Sequence, residues 1–81
     1  MARLKTGEFY RLRVERPAKT QDSTKDVVIA KGSIVKIVRL YATAIVVMDE
    51  NNNWTSFQKG LWMSYLQGIS PVEALKFKAA E

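Results

Sequence analysis

The chain has 81 residues, a formal net charge of +5, and neither Cys nor His. Its length suits one domain with a thin core, and an apolar content of 47% is too high for a disordered chain. The missing Cys and His exclude disulfide and zinc staples, thiolate nucleophiles, Ser-His-Asp catalysis and imidazole metal ligation.

Residues 1–7 read as an N-terminal arm. Its basic flank, Met1 to Thr6, has no apolar stretch of the kind a secretory signal carries. Glu8–Arg16 then alternates, with Tyr10, Leu12 and Val14 on one face and Phe9, Arg11, Arg13 and Glu15 on the other. That is the period-2 pattern of a half-buried first strand. Pro17 lacks a backbone donor and is expected to end the pairing, and 18–26 has loop composition.

Val27–Ile29 predicts a short second strand, closed by Lys31-Gly32, where Gly can take a positive φ. Ile34–Leu40 is rich in β-branched residues and reads as the third strand. After a weak break at Tyr41-Ala42-Thr43, Ala44–Asp49 and Trp54–Gln58 form a hairpin around Glu50-Asn51-Asn52-Asn53. Gly60–Leu66 is apolar without a clean period and predicts one helical or 3₁₀ turn. Ser70-Pro71-Val72-Glu73 has a cap, a Pro at the first helical position and a capping-box Glu. It predicts a helix from Pro71 to about Lys78. The fold expected is mainly β: a five-stranded barrel over 8–69 with a short C-terminal helix and tail over 70–81.

This order of elements resembles an SH3 domain over about residues 8–69. Phe9-Tyr10-Arg11-Leu12 matches the first strand with its aromatic-rich motif, and 17–26 the long first loop. Ala30–Val38 is similar to the family's turn-and-strand segment, Glu50–Asn53 to its distal hairpin, and Met63-Ser64-Tyr65-Leu66 to its 3₁₀ segment. Ser33 stands where the family has Asp, Tyr41–Ile45 lacks the paired Trp, and Met63 replaces the Pro before the 3₁₀ Ser. Those residues build the groove for proline-rich helices, so the resemblance implies an SH3-like barrel without that ligand.

The charge is lopsided: residues 1–40 hold ten Lys or Arg against four acids, and 41–81 hold three against four. A basic half points to nucleic acid or an acidic protein surface, or else is a solvated face. The first candidate surface is the outward side of strand one, Phe9, Arg11 and Arg13, flanked by Arg3, Lys5 and Arg16. Arg and aromatic side chains alternating on a strand can neutralise phosphates and stack bases. A charged edge strand protected from aggregation has the same pattern. The second candidate is aromatic, Trp54, Trp62 and Tyr65 with Tyr41, which suits either core packing or protein docking.

No phosphate-cradling glycine motif occurs. Asp49–Asn53 imitates the start of a calcium loop, but Trp54 and Gly60 stand where Gly and Glu belong, so no metal is expected. No cofactor, small-molecule substrate or membrane span is implied, and a cytoplasmic location is expected. The expectation is a non-catalytic binding module associated with nucleic acid through the basic strand. The alternative is a protein-interaction module, of the size and charge that would suit a phage-encoded regulator docking on a larger machine.

Overall fold

Branched and aromatic residues recurring every second position set the architecture, as a computed structural model of residues 4–77 shows. Seven antiparallel strands form one curled sheet in the order β3-β2-β6-β5-β4-β1-β7. The strands are β1 (Phe9–Leu12), β2 (Arg16–Lys19), β3 (Asp26–Ile29), β4 (Ile34–Leu40), β5 (Ala44–Met48), β6 (Trp54–Gln58) and β7 (Leu66–Gly68). The sheet is a half-barrel, compatible with a small barrel fold. Its concave side holds the core: Leu12, Ala18, Ile29, Val35, Ile37, Ile45, Val47, Phe57 and Leu66.

The strand count is seven and not the expected five, for two reasons. Glu8–Arg16 is not one strand. The chain bends over residues 13–15 and re-enters the sheet as β2. A period-2 pattern continues through a bend as well as through a straight strand, so the sequence hides it. Val14, expected on the core face, is consequently exposed. Second, Leu66–Gly68 pairs with β1 as a three-residue strand, too short to show any alternation.

Pro17 does not end the pairing either. It lies inside β2 opposite Val28. Its carbonyl accepts the Thr55 hydroxyl (2.8 Å), so its backbone polar groups face β6, and there the ladder is reduced to Lys19 opposite Trp54. A proline is tolerated where the donor it lacks has no ladder partner to serve.

Several turns form as their chemistry dictates. Gly32 has φ +90° and donates to the Leu12 carbonyl (2.8 Å). Asp49, buried, accepts from the backbone N–H groups of Asn51 and Asn53 (both 2.9 Å), and Asn52 takes the left-handed conformation at φ 62°. Residues 59–65 are a 3₁₀ turn, Lys59–Leu61, followed by α1 (Trp62–Tyr65). The C-terminal helix is shorter than expected. It is the single turn α2 (Pro71–Ala74), and Lys78 lies outside the described residues. The Ser70 hydroxyl accepts from the Glu73 N–H (3.2 Å), but the Glu73 carboxylate turns to Arg11 and does not complete the box.

Ile37 is fully buried at the centre of β4. Ile37→Ala is expected to cost about 2–5 kcal/mol in urea unfolding; a loss below about 1 kcal/mol would show that the core does not depend on this strand. In the loop after β2, the Thr24 and Thr20 hydroxyls and the Thr24 N–H hold the Asp22 carboxylate down to about 2. A depressed carboxylate stabilises its loop above the ordinary value of 3.8 and loses that contribution as pH falls through about 2. The Thr24 amide resonance should titrate with that midpoint; a midpoint near 3.8 would mean that the hydroxyls do not hold the carboxylate in solution.

Candidate functional site

Register places side chains on the convex side of the sheet. Phe9 lies opposite Lys36, Lys36 opposite Met48, Met48 opposite Trp54, and Trp54 opposite Lys19. Directly opposed residues share a face, so these five form one row across β1, β4, β5, β6 and β2, which ends on β3 at Asp26, opposite Lys19 and ion-paired to it (Nζ–Oδ1 2.6 Å). Their neighbours Val35, Val47 and Thr55 are buried on the opposite face.

A second row owes its existence to a bulge. The β4–β5 register shifts between Ile37 and Arg39, so Val38 is the extra residue. Without it, Arg39 would point into the core beside Ile37. With it, Arg39 stands outside, opposite Val46, which lies opposite Ser56. The two rows are about 7 Å apart along the strands. Strands β4, β5 and β6 carry Lys36 and Arg39 and no Asp or Glu, so the centre of this face is purely cationic. Beyond Trp54, a groove of about 260 Å³ opens where β2 and β6 splay, lined by Arg16, Pro17, Lys19, Asp26, Trp54 and Ser56.

The basic strand residues expected to bind are mostly engaged within the protein. Arg11 donates to the Gly32 carbonyl (2.6 Å) and to Glu73 Oε2 (2.8 Å). Arg13 is exposed but donates through Nε to the Leu66 carbonyl (3.0 Å). Arg16 lies beyond the bend and no longer flanks that strand face. Its guanidinium stacks 4.9 Å from the Tyr65 ring centroid and reaches the Ser56 carbonyl (3.3 Å), while its buried Nε has no hydrogen-bond partner. Phe9 packs on Phe77, with ring centroids 5.0 Å apart. Lys5 is exposed, and Arg3 lies outside the described residues.

The four aromatic residues do not form a single cluster. Trp62 and Tyr65 pack against the core, Trp62 edge-on to Tyr10 (6.0 Å) and Tyr65 on Phe57 (4.8 Å). Trp54 stands on the other face, and Tyr41 is separately exposed in the bend after β4. Burial raises the Tyr10 phenol above its ordinary value, helped by the negative charge of Glu8 and by the hydrogen bond that Tyr10 donates to it (3.3 Å).

Sequence reading missed Lys19, Lys36, Arg39 and Met48. Alternation within 34–40 could have placed Lys36 outward, but nothing in the sequence marks Val38 as a bulge. Among the described residues no carboxylate cluster could hold a metal ion, and no helix is long and apolar enough to cross a membrane. No protein-family model, no curated protein and no solved structure matches the chain.

The Arg16 stack is a packing contact of the fold. Arg16→Ala should cost roughly 1–2 kcal/mol in urea unfolding, through lost packing and cation–π contact. Arg16→Met, which keeps the packing and removes the unsatisfied Nε, should stay within about 1 kcal/mol of the parent. A silent Arg16→Ala would mean that this guanidinium is solvated and available to a ligand.

Proposed function

We propose that the protein is a non-catalytic, SH3-like binding module that takes single-stranded nucleic acid on the convex face of its sheet. The observation carrying this reading is the row Lys36, Met48, Trp54 and Lys19, with Arg39 beside it on an acid-free centre. A half-exposed Trp between lysines meets the two needs of single-strand binding, a stacking plane and cations spaced along the backbone. A curled sheet presents such a row to a strand whose bases are already unstacked, which a duplex does not offer.

The SH3-like reading is supported by the order of elements. The β2–β3 hairpin falls between β1 and β4, the meander β4-β5-β6 follows, and a 3₁₀ turn precedes the last strand. The site differs from the one the basic sequence half suggests. It has moved from strand one to β4–β6, because the strand-one arginines have internal partners.

Binding to a labelled oligothymidylate, followed by fluorescence anisotropy over a salt series, tests the reading. Engagement of about three phosphates by Lys36, Arg39 and Lys19, the last exchanging its exposed partner Asp26 for phosphate, gives a log–log salt slope of about −2 on a single strand. Trp54→Ala should weaken binding by roughly 1–3 kcal/mol, and Lys36→Ala or Arg39→Ala should each make the slope shallower. Failure to bind at low salt would sink the proposal and leave a protein partner, for which Leu61 and Met63 on the 59–65 turn are the exposed apolar contacts.

A further inference from the structure

Residues 70–77 lie against the convex side of β1 through two side-chain contacts. Glu73 Oε2 sits 2.8 Å from Arg11 Nη2, and the Phe77 ring sits 5.0 Å from that of Phe9 at an interplanar angle of 51°. One contact places an anion on a guanidinium, and the other places a ring on a ring. Together they have the chemistry of a nucleotide, its phosphate and its base.

We infer that Phe9 and Arg11 form a further nucleotide subsite of the convex face, and that residues 70–77 occupy it as an internal stand-in. This rests on the nucleic-acid reading above. Phe9 continues the row directly: it lies opposite Lys36, whose Nζ is 6.0 Å from the Phe9 ring. A strand running over Trp54, Met48 and Lys36 therefore arrives at Phe9 and meets the C-terminal segment there.

The segment is built to be displaced. A helix of one turn, Pro71–Ala74, does not hold its own shape in water. Val72 and Leu75 are 70% and 82% exposed, so the turn buries little apolar surface against the sheet. The ion pair is open to solvent at 35% and 39% of its two side chains, a weak tie in salt. An incoming phosphate and base replace both contacts in kind.

The test uses the full chain. The double variant E73Q/F77A should bind labelled oligothymidylate about tenfold more tightly than the parent, the effect of one added stacked base. Phe9→Ala in that background should return the affinity to the parental level, and Leu75→Ala alone should change nothing. Equal affinity of parent and double variant would overturn the subsite while leaving the Trp54 row standing. Binding by neither protein would overturn both. Should the double variant not fold, the parent gives the same answer by NMR. Loss of the Phe9–Phe77 proton contacts at saturating oligonucleotide supports displacement, and their persistence overturns it.

Discussion

The bend over residues 13–15 is the constraint on which the rest of the structure depends. Three backbone bonds fix its start: Leu12 donates to Ser33 (2.9 Å), Gly32 donates to Leu12 (2.8 Å), and Arg13 donates to Tyr65 (2.7 Å). They tie two separate segments, the Gly32-Ser33 turn and the end of α1, to the end of β1. The chain then leaves the β1–β4–β7 side and joins β3 and β6 at the other edge of the sheet. Without this bend β2 could not reach β6, and the sheet would not curl over its core. The concave side would open, with Leu12, Ile29 and Phe57 losing the cover they give one another.

The same bend decides which face each later residue uses. Arg16 swings inward and stacks on Tyr65, which in turn lies on Phe57. Val14, whose parity matches Leu12, swings outward. The Val38 bulge makes a second reversal of face, sending Arg39 out and Leu40 back toward the core. Two local irregularities thus produce the polarity of the molecule: a concave apolar side, and a convex side whose centre is cationic.

Much of the fold was legible in the sequence, and the limits are physical. The meander from Ile34 to Gln58, its Asn-rich turn, the Gly32 turn and the Ser70 cap all follow from local chemistry that reads directly from residue types. The bend was not legible because alternation has no sign for a change of direction. Pro17 misled because its cost depends on whether a neighbour needs its N–H, and that is set by Thr55, 38 residues away. For the candidate site, composition located the charge but not its orientation. Phe9 and Arg11 were placed correctly on the outward side of the first strand, yet Phe77 and Glu73, 68 and 62 positions on, cover them.

The two kinds of cation divide the work in a way that composition does not reveal. Arg11, Arg13 and Arg16 each donate to a backbone carbonyl of another segment, at Gly32, Leu66 and Ser56. A planar fork of donors suits that role, since it can fasten a carbonyl and still stack or pair with its remaining atoms. Lys36 and Lys19 hold the convex row, Lys19 ion-paired at its end with the exposed Asp26, and a compact point charge on a flexible stem reads no fixed geometry there. On the proposed reading, a face built this way would attract phosphate without selecting a base, and the apolar residues of the row, Met48 and Trp54, would accept any ring. Nucleic-acid binding by this row would accordingly be recognition of a polymer backbone more than of a sequence, with Arg11, Arg13 and Arg16, whose charge their carbonyl partners do not cancel, adding to the attractive field.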